Sequence, residues 1–208
     1  MADLFDAPDS DIASLKALRE AEAKCRRCRL YKYATQVVPG EGAAQASLML
    51  VGEQPGNDED LAGEPFVGPA GRMLDRALND AGIDRKKTFI TNAVKHFKFE
   101  QRGKRRLHKR PDPNEIDACR QWQELERKLV RPKLVVALGA TAARSLLGRV
   151  TTISKVRGTP QALPDGGDCL VTIHPSYLLR ILDENDAKAE YRRFVADLKQ
   201  AAKLAATT

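Results

Sequence analysis

A chain of 208 residues with 42% apolar content can bury a full core without disulfides, and it reads as one α/β domain over residues 1–208, with about the first ten as a flexible tail. No apolar run approaches the ~20 residues of a membrane-spanning helix, and the opening MADLFDAPDSD is acidic where a targeting peptide would be basic, so the expectation is a soluble, cytoplasmic protein. The net charge is +7, and residues 95–110 alone hold eight Lys or Arg against one Glu; the other 192 residues sum to zero, which points to a local anion site.

Ser10 or Asp11 can cap a first helix with Ile12, Leu15, Leu18 and Ala21 at helical spacing, ending near Cys25 and Cys28. Residues 31–46 read as a polar loop. The run SLMLV at 47–51 predicts a buried strand that ends in the tight turn Gly52-Glu53-Gln54-Pro55-Gly56. Gly68-Pro69-Ala70-Gly71 then opens an amphipathic helix with Met73, Leu74, Ala77 and Leu78 on one face, stopping near Gly82. A second buried strand at 88–91 passes Asn92 and His96 into a basic loop ending at His108. Pro113 starts a helix through Ile116, Cys119, Trp122, Leu125 and Leu129, and Pro132 closes it. Residues 133–137 form a third strand, 142–147 a short helix, 169–173 a fourth strand ending at His174-Pro175-Ser176, and 184–204 a last helix.

Strands alternating with helices predict a three-layer α/β/α sandwich with a central, mainly parallel four-stranded sheet. Ligands of such sheets bind beyond the carboxyl ends of the strands, which brings Glu53, Asn92, Gly139 and His174 to one edge. There Glu53 can act as a base, stabilise a cation or anchor the turn. The Asn92 amide offers the donors and acceptor needed to read a base edge, or it bonds loop backbone. His174 places an imidazole at the fourth strand end.

The pair Cys25-Arg-Arg-Cys28, in a chain expected to be intracellular, points to metal or redox chemistry rather than a disulfide. Read from the residues alone, the ligand set is Cys25, Cys28, Cys119 and one of His96 or Cys169, for zinc or an iron–sulfur cluster. The basic stretch is either a solvated charge run or a phosphate grip, and it holds His108 among cations that should keep the imidazole neutral and nucleophilic.

Gly52-Glu53-Gln54-Pro55-Gly56, Pro65-Phe66-Val67-Gly68, Thr91-Asn92-Ala93-Val94-Lys95-His96 and His174-Pro175-Ser176 together resemble the uracil-DNA glycosylase superfamily, closest to its family-four iron–sulfur members. With the insertion Lys104-Arg105-Arg106-Leu107-His108 the chain is similar to the UdgX-type branch, over about residues 20–205. The resemblance implies a 4Fe-4S cluster on Cys25, Cys28, His96 and Cys119, His96 standing where ordinary family-four members carry cysteine. Cys169 is then an ordinary buried thiol, and the cluster a structural clamp.

It further implies excision of uracil from DNA, single-stranded by preference, in the cytoplasm at the nucleoid, by a monomer. Phe66 would stack on the base, Asn92 read its edge and His174 stabilise the departing uracil anion. Gly52, Glu53 and Gln54 would flank the sugar, and Arg106, Ser176 and Arg180 would touch phosphate or the loop. His108 would bond to the anomeric carbon in place of water, leaving the protein linked to the abasic sugar. The alternatives are an ordinary hydrolytic family-four enzyme with turnover and a metal-stabilised nucleic-acid-binding module without chemistry.

Overall fold

The computed structural model describes residues 12–207. Four strands run parallel: β2 (Leu48–Gly52), β3 (Thr88–Asn92), β6 (Leu134–Leu138) and β8 (Asp168–Thr172). Two short strands, β1 (Glu41–Gly42) and β7 (Pro160–Ala162), pair antiparallel at the edges, giving the order β1-β3-β2-β6-β8-β7. The expected four-stranded parallel sheet is therefore present, and each of its edges is extended by a strand too short to carry a hydrophobic signature.

The period-two alternation of strand side chains divides the interior into two cores. Leu48, Leu50, Ile90, Leu134, Val136, Leu138 and Leu170 face one way, against α3 (Pro69–Asp80) and α8 (Glu184–Thr207). Met49, Val51, Phe89, Val135, Ala137, Cys169 and Val171 face the other, against α5 (Ala140–Leu147) and Val130 at the end of α4 (Pro113–Val130). Every residue of β2, β3 and β6 is buried, as the uninterrupted apolar runs require of a sheet covered on both faces.

Helix boundaries follow capping chemistry. The Ser14 side chain accepts from Ala17 N at 3.1 Å and starts α1 (Leu15–Glu22); the expected caps Ser10 and Asp11 lie outside the described residues. At α4, Asp112 and Glu115 form a capping box around Pro113, and Arg131 ends the helix with φ +54° just before Pro132. Two short helices, α2 (Asn57–Ala62) and α7 (Pro175–Leu178), follow the β2 and β8 strand ends.

The expected basic loop is instead a β-hairpin. β4 (Phe99–Arg102) pairs antiparallel with β5 (Arg105–His108), Phe99 opposite His108, around a two-residue turn that opens on Gly103 at φ +56°. Much of its positive charge is also matched within the fold. Lys98 Nζ lies 3.1 Å from Asp112 and 2.7 Å from Glu115, and Lys109 lies 2.6 Å from Glu100. Lys95 is not part of a surface patch at all: its ammonium is fully buried, 2.7 Å from each oxygen of Glu126.

Glu126 Oε1 also accepts from Gly40 N at 2.9 Å and Thr91 Oγ1 at 3.0 Å, so this carboxylate ties β3 and the segment before β1 to α4. Glu22 sits 3.8 Å from Lys95, but burial pushes its carboxyl up to about 8, leaving Glu126 as the counter-charge. Truncating one partner of a buried ion pair strands the other, so Glu126→Ala should cost about 3–5 kcal/mol in denaturant unfolding. A midpoint within error of wild type would show that the pair contributes nothing.

Candidate active site

Because β2, β3, β6 and β8 are parallel and in register, their last residues meet at one edge: Gly52 opposite Asn92, Leu138 opposite Thr172. The chain passes from β2 to β3 on one side and later to β6 on the other, so the end of β2 is the point where strand order reverses and a cleft opens. Glu53 and Gln54 stand there. Two cavities share this edge, one of about 410 Å³ bounded by Phe66, Asn92 and His174, the other an open groove of about 1150 Å³ bounded by Glu53, Arg110, Tyr177 and Arg180; Gln54, His108, His174 and Ser176 border both.

In the smaller cavity Asn92 is 2% exposed and its Oδ1 has no hydrogen-bond partner, an acceptor left open toward the space before it. The Phe66 ring forms a wall, its centroid 5.9 Å from that of His174. A side chain at Gly52 would put its Cβ 2.4 Å from Asn92 Oδ1 and 2.5 Å from Phe66 Cζ, so only glycine lets the amide and the ring close on each other. Phe66 itself holds φ +58°, a conformation that bulky residues rarely adopt, and Gly71 fits beneath it: a Cβ there would lie 1.8 Å from the Phe66 carbonyl oxygen.

His174 is fixed in one tautomer. Ser176 N donates to Nδ1 at 3.2 Å, with Ser176 Oγ 2.8 Å away, so Nδ1 accepts and the proton sits on Nε2. Burial, with His108 and Arg180 adding to it, pushes the imidazole down to about 4. His174 thus presents a neutral N–H donor at neutral pH, and Ser176 orients it.

His108 closes the site from the hairpin. Gln54 Nε2, which can only donate, lies 2.9 Å from His108 Nε2, so that ring nitrogen accepts and carries a lone pair. The same Gln54 nitrogen also lies 3.0 Å from Lys109 O and 3.2 Å from Lys98 O, its two hydrogens shared among three acceptors, and Gln54 Oε1 accepts from Lys98 N at 3.1 Å, so the amide clamps both ends of the hairpin. Glu53 Oε1 is 3.5 Å from His108 Nε2, and its other oxygen accepts from Thr141 Oγ1 at 2.5 Å. Burial and Arg180 hold the His108 imidazole below its usual value against the opposing pull of Glu53 and Glu59. The nitrogen is therefore neutral, basic and facing a carboxylate that would welcome positive charge on it.

Arg106, expected to touch phosphate or the loop, is held by partners within the fold. Its Nη1 lies 2.6 Å from fully buried Asp60 and 3.1 Å from Thr35 Oγ1, its Nε donates to Asn57 at 2.9 Å, and the guanidinium stacks over Phe97 and Phe99 at 5.4 and 5.1 Å. The bonds to Asp60 and Asn57 pin the hairpin to α2, and the bond to Thr35 ties it to the segment before β1. Of the cations at 95–110, those without an ion pair among the described residues are Lys104 and Arg105 near the tip, and Arg110 past its end. Nothing local in the sequence marks Asp60, Thr35 or Thr141 as partners, since each lies on another element.

Cys25, Cys28 and Cys119 gather in a third apolar cluster with Leu18, Leu30, Ile116 and Trp122, between α1 and α4. Trp122 Nε1 donates to Cys25 Sγ at 3.1 Å and Lys95 N to Cys119 Sγ at 3.2 Å. Burial pushes the Cys28 and Cys119 thiols up. His96 is buried one residue past the amide that touches Cys119, and burial lowers it. Among the described residues no three His, Cys, Asp or Glu side chains converge tightly enough for a single ion. Three thiols in an apolar pocket with N–H donors aimed at two sulfurs do fit the donor chemistry of an iron–sulfur cube, whose ligands stand further apart than those of one ion. Cys169 sits apart on β8, fully buried in the core.

The fold and site are those of an α/β protein with an aromatic-walled, amide-lined pocket at its switch point, bordered by two imidazoles of opposite tautomer. Residues 39–199 match the uracil DNA glycosylase superfamily. The type-4 uracil-DNA glycosylase of Thermotoga maritima is 37% identical over 184 residues, 88% of this chain and 90% of that one. Those of Archaeoglobus fulgidus and Pyrobaculum aerophilum are 36% identical over 162 residues (74% of this chain, 78% of the relative) and 35% over 173 (80% and 85%). The chain belongs to the uracil DNA glycosylase superfamily.

If Arg106 anchors the hairpin, Arg106→Ala strands buried Asp60 and should lower the local opening free energy of β4 and β5 by about 3 kcal/mol, read as lost amide protection in hydrogen exchange. Unchanged protection of residues 99–108 would contradict that anchoring.

Proposed function

We propose that this protein is a UdgX-type uracil-DNA glycosylase that excises uracil from DNA, single-stranded by preference, and becomes covalently joined through His108 to the abasic sugar. The observation that carries this is the lone pair of His108 Nε2, held by Gln54 at 2.9 Å on the border of the cavity that Asn92, Phe66 and His174 enclose. A uracil turned into that cavity would stack on Phe66, fill the open acceptor of Asn92 with its N3–H, and receive the Nε2 proton of His174 as a hydrogen bond at a carbonyl oxygen. An extruded base is least costly from a strand that is not paired, which favours single-stranded substrate.

As the N1–C1′ bond breaks, its electron pair leaves on uracil, where the neutral His174 donor stabilises it. The Nε2 lone pair of His108, released from the Gln54 hydrogen bond, forms the new bond to C1′. The ring, now bonded at Nε2 and still carrying Nδ1–H, is cationic until that proton passes to solvent. Glu53, 3.5 Å away, stabilises first the oxocarbenium-like sugar and then this cation. Cys25, Cys28, His96 and Cys119 would hold the 4Fe-4S cluster, which ties α1 to α4 as a structural clamp.

The deciding test mixes purified protein with labelled single-stranded DNA bearing one uracil and resolves the products on a denaturing gel beside His108→Ala. A uracil-dependent shifted band in wild type alone supports capture. Free uracil beyond one per protein molecule, without the band, would make this a hydrolytic enzyme; neither product would leave only a binding module.

The acid limb of the capture rate should report His108. Glu53 and Glu59 pull its pKa upward and Arg180 downward, with burial making the net shift downward, so the neutral nucleophile persists below the ordinary histidine value near 6.5. Capture should stay at its plateau as pH falls through 6.5 and be lost only further down. A single-turnover rate already halved at pH 6.5 would contradict a depressed His108.

A further inference from the structure

We infer that Thr141 is a positioning residue for Glu53, and that Arg110 connects the pair to the DNA backbone. This rests on the glycosylase reading above. The direction of the relay is fixed by proton count. Arg110 Nε, a donor only, lies 3.3 Å from Thr141 Oγ1, so the hydroxyl accepts there; its single proton then goes to Glu53 Oε2 at 2.5 Å. Thr141 is 1% exposed in the first turn of α5, directly after the strand end at Gly139, and so is rigidly placed. With Oε2 held, Oε1 is the oxygen left to face His108 Nε2. A free carboxylate would rotate, and the oxygen that must stabilise the sugar cation would no longer be fixed.

Arg110 is exposed and borders the larger groove, and beyond the bond from Nε its guanidinium makes no hydrogen bond or ion pair among the described residues. Two Nη nitrogens thus remain open to a bidentate phosphate contact. A groove of about 1150 Å³ exceeds what one base fills, and Arg110 and Arg180 make one end of it positive, the charge a flanking phosphodiester requires. Seating that phosphate on Arg110 would fix the guanidinium, the hydroxyl and the carboxylate in turn, so the catalytic oxygen is set once the strand is in place.

The test is single-turnover reaction of full-length Thr141→Val, Thr141→Ser and Arg110→Gln with the same uracil-bearing strand, scoring adduct and free uracil together. Thr141→Val keeps the side-chain volume and removes only the hydroxyl. It should lower the maximal rate about 10- to 100-fold while leaving the half-saturating DNA concentration and its salt dependence unchanged. Thr141→Ser should restore most of the rate. Arg110→Gln should weaken binding and reduce the slope of log affinity against log salt by about one, with a slower maximal rate. A wild-type maximal rate in Thr141→Val, or no rescue by serine, overturns the positioning role. An unchanged salt slope in Arg110→Gln overturns the backbone contact. A wild type that yields neither adduct nor free uracil overturns the glycosylase function itself, a result distinct from the variant outcomes.

Discussion

The pairing of Gly52 with Asn92 across β2 and β3 is the constraint on which the site depends. Parallel register sets the amide of Asn92 beside the one residue type that leaves space for it, and the same space admits the Phe66 ring. A shift of register by one residue would turn Asn92 to the opposite face and put Val51 under the ring. The six-stranded sheet therefore does more than bury a core: its register gives the geometry of the base pocket, and the two apolar layers around it hold that register in place.

Onto this sheet edge a two-stranded hairpin brings the His108 imidazole. An isolated hairpin is marginal in water, and the molecule meets that with polar anchors rather than apolar burial. Gln54 satisfies backbone groups at both ends of the hairpin, and Arg106 reaches into Asp60 under α2. Arg106 thereby helps to place His108, because the strand it pins ends two residues later at that residue. Lys98, paired with Asp112 and Glu115, fastens the base of the hairpin to the cap of α4.

The fold was largely legible in the sequence because its signals are local. SLMLV and its counterparts are short apolar runs closed by turn residues, and Pro113 and Gly68-Pro69 mark helix starts within a few positions of the real ones. The edge residues followed from the parallel topology alone. What was not legible depends on partners distant in the chain. Lys95 reads as one cation in a basic run, and only the approach of Glu126, 31 residues on, makes it a core residue. Arg106 reads as a contact to phosphate or to the loop, with nothing local to name Asp60 as its partner, and Thr141 reads as nothing. The hairpin did carry a local signal, alternating residues around Gly103-Lys104, but the density of charge hid it, since the same composition describes a solvated loop.

The two histidines of the site show how environment divides one side-chain chemistry into two roles. Desolvation lowers both, although the His108 side chain is still half exposed, and their hydrogen bonds choose opposite nitrogens: the Ser176 amide donates to Nδ1 of His174 and leaves a proton at Nε2, whereas the Gln54 amide donates to Nε2 of His108. One ring thus presents an N–H donor and the other an accepting nitrogen beside a carboxylate. Neutrality alone would not distinguish them, and neither would position at the sheet edge. Gln54 thus joins two tasks in a single amide, sharing the hold on the hairpin with Arg106 and Lys98 and setting which nitrogen of His108 accepts.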